Sequence, residues 1–260
     1  MKAAVRRLAR IQRPFSTINE SEVEKFSKIK DWWNPQGSQK GLHAFNELRL
    51  GFVKKHIYGY GSPHSSKFHY MTNIKTLDVG CGPGIFTESI ARLGATVVGL
   101  DANPFCVQVA EEHKKKVNLT GDLDGLSYVA STLEEYNKKG LKYDVVSSFE
   151  VIEHISDKEA ILKGYADALE EGGLLFISTM EKNEISKLVT ITLAENLMRL
   201  VEPGTHDHSK YINFMDLKAQ AAPHGLEAIG YNTVFYNPLL NEWFYTNLIN
   251  TNYICCFRKV

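Results

Sequence analysis

The sequence of 260 residues lacks three features, each of which would define a class of protein. No apolar run reaches the roughly 18 residues that a membrane-spanning helix needs. The four cysteines include no Cys-x-x-Cys pair, which argues against a zinc knuckle and against a disulfide framework. No excess of one charge exists, because 30 basic residues balance 30 acidic ones. At 43% hydrophobic residues the chain is too apolar for intrinsic disorder, and its length fits one domain with appendages.

The balance of charge hides an asymmetry at the N-terminus. The first 15 residues, MKAAVRRLARIQRPF, contain five bases and no acid, with apolar residues at helical spacing among the arginines. This Arg-rich amphipathic pattern is typical of a mitochondrial transit peptide, which we predict over 1–15; a basic arm that touches anionic lipid or RNA is the alternative. Without this segment 25 bases face 30 acids, a formal charge of −5, so no nucleic-acid partner is expected.

Residues 16–67 are predicted to form an N-terminal helical cover and a linker. The pattern predicts one helix over 21–33 and another from about Ala44 through Arg49 to Ile57. The stretch 58–67 is rich in Gly, Ser, His and Pro, a composition that is typical of linkers.

Residues 68–260 are predicted to form one catalytic-type domain, because β-branched apolar runs alternate there with amphipathic helices. Five strands are expected over 74–79, 96–100, 127–130, 144–148 and 174–179. Nearly continuous apolar strands favour a parallel sheet that is covered on both faces. Two later strands, 227–236 and 253–258, are expected to form a closing antiparallel hairpin around the Asn-Pro at 237–238. The pattern predicts an α/β, doubly wound domain with an N-terminal helical cover.

A glycine-rich loop follows the first predicted strand. The segment DVGCGPG (78–84) opens directly into a predicted helix, and glycines let the backbone turn sharply and approach a ligand closely. Asp101 ends the next strand, 21 residues after Gly80, where an acid typically accepts hydrogen bonds from ribose hydroxyls. We therefore predict a nucleoside-containing cofactor that contacts Gly80, Gly82 and Asp101. A glycine loop that is merely a turn would leave Asp101 without a role.

Two types of cofactor compete for this geometry. The dinucleotide pattern G-x-G-x-x-G/A requires a small residue at position 85, where Ile85 would crowd the approach of helix and strand that a pyrophosphate needs. The Gly-x-Gly-x-Gly pattern instead resembles the class I S-adenosylmethionine-dependent methyltransferases, which have a Rossmann-like sheet. We therefore favour S-adenosylmethionine over a nicotinamide dinucleotide.

Three polar side chains follow the fourth predicted strand. Glu150, Glu153 and His154 are spaced i, i+3 and i+4, so a helical turn would place them on one face. Such a face could hold a divalent cation such as Mg²⁺. Alternatively, His154 could act alone as the general base toward a phenol. A plain helix start, with acids near the positive end of its dipole, is the structural alternative that the spacing leaves open.

Longer segments resemble one family, the O-methyltransferases of ubiquinone biosynthesis, from about Val23 to the end of the chain. The core segments are LDVGCGPGIFTESIARLGATVVGLDAN and FEVIEHI, and the segments outside the core are KFSKIKDWWNPQGSQKGLHAFNELRLGFV, EPGTHDHSKYI and YNPLLNEW. Pro83 departs from the glycine of bacterial members, and the stretch 182–202 matches less closely. The leader resembles that of the mitochondrial branch.

The resemblance implies methyl transfer to catechol-type hydroxyls of polyprenyl-dihydroxybenzoate and demethylubiquinol. It implies cofactor contacts at Arg49, Gly80, Asp101 and Phe149. It also implies a metal, Mg²⁺ or a similar divalent cation, at Glu150, Glu153 and His154. In this reading His154 is the catalytic residue, as a ligand that helps to activate the hydroxyl or as the base itself.

Partners and location follow from the prenyl tail of such a substrate. Because the tail lies in lipid, the enzyme is expected to meet the inner mitochondrial membrane peripherally from the matrix side, with the amphipathic stretch 188–201 as a candidate contact. The resemblance also implies membership of a multi-enzyme complex of ubiquinone biosynthesis. A methyltransferase for another phenol or a carboxylate, and a non-catalytic scaffold of a lipid-biosynthesis complex, are the alternative functions.

Overall fold

The structure is a computed structural model that describes residues 26–58, 70–187 and 210–260. The predicted transit peptide over 1–15, most of the predicted linker, the stretch 188–201 and the EPGTHDHS segment lie outside these residues. In the described ranges, no helix is long and apolar enough to cross a membrane.

Helices and strands alternate along the described chain, as the sequence predicts. The helices are α1 (Lys40–Tyr58), α2 (Ile85–Arg92), α3 (Pro104–Val117), α4 (Leu133–Asn137), α5 (Lys158–Ala168), α6 (Glu184–Lys187) and α7 (Phe214–Ala221). The strands are β1 (Lys75–Val79), β2 (Thr96–Asp101), β3 (Leu126–Ala130), β4 (Tyr143–Phe149), β5 (Leu169–Met180), β6 (Leu226–Asn237), β7 (Glu242–Tyr245) and β8 (Asn252–Lys259).

The strands form one sheet in the order β3-β2-β1-β4-β5-β8-β6-β7. The first five strands pair in parallel, and β8, β6 and β7 extend the sheet with antiparallel pairing. The chain leaves β1 toward β2 on one side and later reaches β4 on the other side, so the strand order reverses between β1 and β4. Ligands of open α/β sheets bind at such a reversal, outside the carboxyl ends of the strands. The predicted doubly wound α/β fold is confirmed.

Two apolar cores cover the two faces of the sheet, because its strands carry apolar side chains on both faces. One core packs α4, α5 and α7 against the sheet, and the other packs α1, α2 and α3 against the opposite face. Phe45 and Phe52 are completely or almost completely buried in the second core and bind α1 to the sheet. This packing places the middle of helix α1 beside the carboxyl ends of the strands.

Three sequence-based predictions differ from the structure. The helix predicted over 21–33 does not reach Trp33, because the Asp31 carboxylate accepts hydrogen bonds from the Ser38 backbone N–H (2.7 Å) and hydroxyl (2.6 Å) and folds this segment into turns. Helix α1 begins at Lys40 instead of Ala44. Strands β6 and β8 pair antiparallel as predicted, but the Asn-Pro turn at 237–238 joins β6 to the unpredicted short strand β7.

Candidate active site

The glycine-rich loop lies at the reversal of strand order, between β1 and α2. Gly80 has a left-handed backbone (φ +72°), and its N–H donates to the Leu100 carbonyl at the end of β2 (2.7 Å). A Cβ at Gly80 would lie 2.4 Å from Cγ2 of Val151, which follows β4. Glycine is therefore required here, because the loop after β1 packs directly against the loop after β4.

Asp101 closes the second side of this loop. Its Oδ2 accepts a hydrogen bond from the Gly82 N–H (2.8 Å), and its Oδ1 accepts one from the Asn103 N–H (2.7 Å). Burial raises the pKa of Asp101, and both backbone donors oppose the shift. Each carboxylate oxygen keeps a second lone pair, so Asp101 can also accept hydrogen bonds from the hydroxyls of a ribose.

Asp78, inside β1, is a site residue that the sequence analysis did not single out. Its two carboxylate oxygens accept hydrogen bonds from the Thr87 hydroxyl of α2 (2.6 Å) and the Ser147 hydroxyl of β4 (2.7 Å). Burial raises its pKa to about 6, so it is ionised at neutral pH. The sequence signal is an acid between two apolar residues of a predicted strand, Leu77 and Val79. Asp78 holds three elements together directly beneath the glycine loop.

Arg49 of α1 reaches the same place with a buried positive charge. Its side chain is 5% exposed, and its guanidinium carbon lies 4.2 Å from the Phe45 ring centroid and 5.0 Å from that of Phe149. Nη2 lies 3.9 Å from Glu150 Oε1, and neither Nε nor Nη2 has a hydrogen-bond partner among the described residues. Burial lowers the pKa of Arg49 to about 10, which leaves it protonated at neutral pH. Buried N–H groups without hydrogen-bond partners are costly, so this guanidinium suits a further anionic ligand such as a carboxylate.

The position of Arg49 depends on β7, the strand that the sequence analysis missed. Trp243 of β7 stacks on Phe45 (centroids 4.0 Å apart, planes at 11°) and donates from Nε1 to the Gly41 carbonyl (2.8 Å). Phe45 therefore lies between Trp243 and the guanidinium of Arg49. No local pattern predicts this contact, because about 200 residues separate its two sides in the sequence.

The turn after β4 does not have the geometry that the spacing of its polar residues suggests. Glu150 has a left-handed backbone (φ +57°), and its N–H donates to the Ser178 carbonyl of β5 (2.9 Å). The Ser178 hydroxyl in turn donates to Glu150 Oε1 (2.7 Å). Only Ile152–His154 form a helical turn, of the 3₁₀ type. The expectation that Glu150, Glu153 and His154 share one helical face is therefore wrong, because Glu150 precedes the turn and is held by β5.

The two carboxyl groups of this turn lie in different environments. Glu153 is buried, and its Oε2 accepts a hydrogen bond from the Thr179 hydroxyl (2.8 Å). Burial, together with the nearby Glu150, raises the pKa of Glu153 to about 8, so its carboxyl group is mainly protonated at neutral pH. In the described part of the chain, no three His, Cys, Asp or Glu side chains are arranged to hold a metal ion. The structure thus brings Glu150 and Glu153 near each other without forming the predicted three-residue ligand set.

The segment before α1 packs against the loop after β1, helix α3 and the turn after β4. Trp33 donates from Nε1 to the Pro83 carbonyl of the glycine loop (3.2 Å) and stacks on His113 of α3. Phe26 meets His154 edge-on, with ring centroids 5.2 Å apart. Residues of this segment therefore cover both the cofactor loop and the predicted catalytic histidine.

This fold and this site define a class I S-adenosylmethionine-dependent methyltransferase: a glycine loop at the reversal of strand order, an acid at the end of β2 and a buried cation opposite them. The sequence model of a family described as "Methyltransferase domain" matches residues 61–230. The chain belongs, within this class, to the family of ubiquinone biosynthesis O-methyltransferases. It is 35% identical to the member from Rhizobium etli, over 94% of this chain and 97% of that protein. It is 36% identical to the member from Brucella anthropi, over 92% of this chain and 95% of that protein.

Solved structures show the same fold at low sequence identity. Magnesium protoporphyrin IX methyltransferase from Synechocystis PCC 6803, solved with bound SAH, matches with a TM-score of 0.59 at 16% identity and covers 93% of this chain and 94% of its own. A SAM-dependent methyltransferase from Aquifex aeolicus matches with a TM-score of 0.57 at 12% identity, covering 94% of this chain and all of its own. These similarities show the fold.

Proposed function

We propose that this protein is an O-methyltransferase of ubiquinone biosynthesis that methylates catechol-type hydroxyls of polyprenyl-dihydroxybenzoate and demethylubiquinol. The observation that carries the proposal is the similarity to relatives of that name along nearly the whole of both chains, 94% and 97% for the Rhizobium etli protein. The similarity includes α1 and the hairpin of β6 and β7, which lie outside the five parallel strands. Helix α1 carries Arg49, and Trp243 of β7 supports Arg49 through Phe45. The segments that the relatives share therefore include those that position Arg49 in the site.

The cofactor is proposed to lie across the carboxyl ends of β1, β2 and β4. Arg49 would pair with the carboxylate of its methionine moiety through Nε and Nη2, the two atoms that lack partners. Asp101 would accept the ribose hydroxyls, while Gly80 and Gly82 let the backbone approach the ligand. Phe149 would line the pocket beside the Arg49 guanidinium. When bound, S-adenosylmethionine supplies an electrophilic methyl group on a sulfonium sulfur.

His154 is proposed to accept the proton of the substrate hydroxyl. Its ring is packed edge-on against Phe26, which limits how the imidazole can turn. Transfer of the O–H proton to a ring nitrogen leaves a phenolate oxygen, which forms the new C–O bond as the C–S bond of the donor breaks. The proton then leaves His154 for solvent. Holding the oxygen and the methyl carbon in line contributes much of the rate.

The divalent cation that the family resemblance implies remains a proposal of its own. As arranged here, Glu150, Glu153 and His154 do not fit a three-ligand site, and the protonated carboxyl of Glu153 would have to ionise before it could bind a metal. No step above therefore passes through a metal. Mg²⁺ is retained as a candidate, to be tested by chelation.

The decisive experiment is methyl transfer from labelled S-adenosylmethionine to a short-tailed demethylubiquinol and a short-tailed dihydroxybenzoate. The matched control is the monohydroxybenzoate with the same tail, which lacks the second ring oxygen. We expect transfer to the two catechol-type substrates and little transfer to the control. Equal transfer to the control would favour a general phenol methyltransferase. Cofactor binding without transfer to any of them would favour a scaffold.

The same assay with and without EDTA tests the cation. Loss of activity in EDTA, with recovery on addition of Mg²⁺, is the result expected if a metal activates the hydroxyl. Full activity in EDTA is expected if His154 acts as the base alone.

We also propose a mitochondrial location, at the matrix side of the inner membrane and within a multi-enzyme complex. The basis is the Arg-rich pattern of residues 1–15, which is typical of a transit peptide. In the proposed domain organisation, residues 16–67 form the helical cover and linker, and residues 68–260 form the methyltransferase domain. Import of the full chain into isolated mitochondria, compared with a chain that begins at residue 16, tests the leader. Equal import of the two chains would contradict it.

A further inference from the structure

An indole N–H near the active site is buried without a hydrogen-bond partner. Trp32 is 4% exposed, and its Nε1 has no partner among the described residues. Tryptophan N–H groups usually find an acceptor when they are buried, and a buried donor that lacks one is costly. The unpaired guanidinium atoms of Arg49 are assigned to the cofactor, whereas no step above uses the N–H of Trp32. This donor therefore suits an acceptor that a ligand supplies.

Trp32 lies on the substrate side of the site. It belongs to neither of the two apolar cores that cover the sheet, although it is buried. Its indole stacks on Phe26, with ring centroids 6.3 Å apart and planes at 27°. Phe26 in turn meets His154 edge-on, with ring centroids 5.2 Å apart. Two ring contacts therefore connect Trp32 to the proposed base, which would receive the proton of the substrate hydroxyl.

The backbone of Trp32 is held in place from two directions. His43 of α1 donates from Nε2 to the Trp32 carbonyl (2.7 Å). The preceding residue, Asp31, accepts the two hydrogen bonds from Ser38 that fold this segment into turns. A donor that is fixed in this way can discriminate between substrates, because it cannot turn away from a ligand that offers no acceptor.

The adjacent Trp33 has the opposite arrangement. Its Nε1 donates to the Pro83 carbonyl of the glycine loop (3.2 Å), and its ring stacks on His113 with centroids 3.4 Å apart. The N–H of Trp33 is thus satisfied within the protein, on the cofactor side of the site. The two neighbouring tryptophans therefore provide a matched comparison, in which one indole supports the cofactor loop and the other contacts the ring that covers His154.

The chemistry of an indole limits what it can bind. Its N–H is a neutral donor without accepting capacity, so it complements an oxygen lone pair and not a cation. A catechol has two ring oxygens: His154 is proposed to take the proton of one, and the other keeps lone pairs that can accept a hydrogen bond. The rings of Phe26 and Trp32 also suit contact with the aromatic ring of such a substrate.

We propose that Trp32 is a specificity-determining residue, whose Nε1–H donates to the substrate ring oxygen that is not methylated. The proposal rests on the proposed function and deepens it, because it assigns the preference for a catechol over a phenol to one atom. A substrate without the second ring oxygen leaves this N–H buried and unpaired, so it is bound less tightly and methylated more slowly. The cofactor is the competing acceptor, and the test separates the two.

The test compares Trp32→Phe and Trp33→Phe with the wild-type full chain. Each variant keeps an aromatic ring and removes one indole N–H. Values of kcat/KM are measured for the short-tailed dihydroxybenzoate and for the monohydroxybenzoate with the same tail, and calorimetry gives the Kd of S-adenosylmethionine. Calorimetry also gives the Kd of both benzoates for protein saturated with S-adenosylhomocysteine, which has no methyl group to transfer, so this measurement does not depend on turnover.

We expect the wild type to prefer the dihydroxybenzoate in both measurements. In Trp32→Phe this preference should fall about tenfold, because binding and kcat/KM are reduced for the dihydroxybenzoate and change little for the monohydroxybenzoate. The Kd of S-adenosylmethionine should stay the same, which also shows that the variant is folded. Trp33→Phe should keep the preference and bind S-adenosylmethionine more weakly, since the glycine loop loses a hydrogen bond.

An unchanged preference in Trp32→Phe would overturn the proposal, and a higher Kd of S-adenosylmethionine in that variant would then assign the N–H to the cofactor. An equal loss for both benzoates would overturn it as well, because the indole would then only fill space. A wild type that binds the two benzoates equally would overturn it without any variant. Absence of methyl transfer by the wild type, together with a binding preference that Trp32→Phe loses, would contradict the proposed function alone.

Discussion

The two halves of the candidate active site are held in different ways. In the first half, formed by the glycine loop and Asp101, backbone N–H groups of Gly80 and Gly82 bond to the end of β2 and every charge is hydrogen-bonded. In the second half, formed by the turn 150–154, a glutamate has a left-handed backbone and two carboxyl groups lie close together, one of them protonated. A left-handed backbone at a residue other than glycine costs about 1 kcal/mol or more.

We expect this difference to separate cofactor binding from the chemical step. In the first half, hydrogen bonds hold the loop in place without a ligand, and Asp101 keeps lone pairs free for the ribose that we propose it binds. The second half holds groups whose protonation depends on their neighbours, which is typical of residues that move protons during a reaction. Substitutions in the first half should therefore change affinity or stability, and those in the second half should change the rate or its pH dependence.

The largest effect is expected for His154→Ala. Removal of the proposed general base should lower kcat by about 100- to 10,000-fold, the usual contribution of such a group. The affinity for the cofactor, measured by calorimetry, should stay the same, because His154 lies in the other half of the site. His224→Ala, before β6 at the opposite end of the sheet, is the matched control. A kcat for His154→Ala near that of this control would exclude the assigned role.

A pair of glycine substitutions tests the rigidity of the first half. Gly80→Ala introduces a Cβ that would lie 2.4 Å from Val151 in a left-handed backbone, whereas Gly82→Ala meets the same backbone strain with no heavy atom within 4 Å. We expect Gly82→Ala to lower the free energy of unfolding by about 1–2 kcal/mol and Gly80→Ala to lower it by about 2–4 kcal/mol. Urea unfolding measures both values. Equal losses would show that the contact with Val151 is not tight.

Replacement of Arg49 tests how the carboxylate of the proposed cofactor is bound. In Arg49→Met the carboxylate of the cofactor loses its charged partner, so the Kd for S-adenosylmethionine should rise about 10- to 100-fold. Because Arg49→Met also leaves Glu150 without its ion-pair partner, the ligand-free variant should unfold at a lower temperature than the wild type. Arg49→Lys is the matched control that keeps a charge without the forked geometry, and its Kd should lie in between. Unchanged affinity in Arg49→Met would place the carboxylate elsewhere.

The smallest effect is expected for Glu153→Gln, in the absence of metal. The pKa of Glu153 is near 8 in the folded chain and near 4.5 in the unfolded chain, so the folded state holds the proton more tightly. This contribution to stability is complete below about pH 4.5 and is lost as the pH rises to about 8. Glu153→Gln should therefore unfold with a flatter pH dependence and should be more stable than the wild type at pH 8. Parallel curves for the two proteins would contradict a buried, protonated carboxyl.

The part of the site that follows from local backbone requirements could be predicted from the sequence. A close approach of loop and ligand favours glycines at 80 and 82 and an acid at the end of the next strand. Each of these features can be recognised from a few neighbouring residues in the sequence. The reversal of strand order that places them together follows from the alternation of strands and helices. The position of Gly80, Gly82 and Asp101 at this reversal could therefore be predicted without the structure.

The remaining part depends on contacts between distant residues. The left-handed backbone of Glu150 is held by Ser178, 28 residues later, and no i, i+3, i+4 rule includes that bond. Strand β7 was missed because four residues, Glu-Trp-Phe-Tyr, form no alternating pattern, although Trp243 supports Phe45 and through it Arg49. Asp78 was overlooked because the structural role of an acid inside a strand depends on hydroxyls from α2 and β4.

The position of β8 determines when the protein becomes competent during its synthesis. This strand comprises Asn252–Lys259, almost the last residues of the chain, yet it lies between β5 and β6. Until these residues have left the ribosome, β6 and β7 have no strand through which to join β5. A chain without β8 would thus contain every residue of the proposed cofactor site, yet the hairpin whose Trp243 supports Phe45 would lose its connection to the sheet.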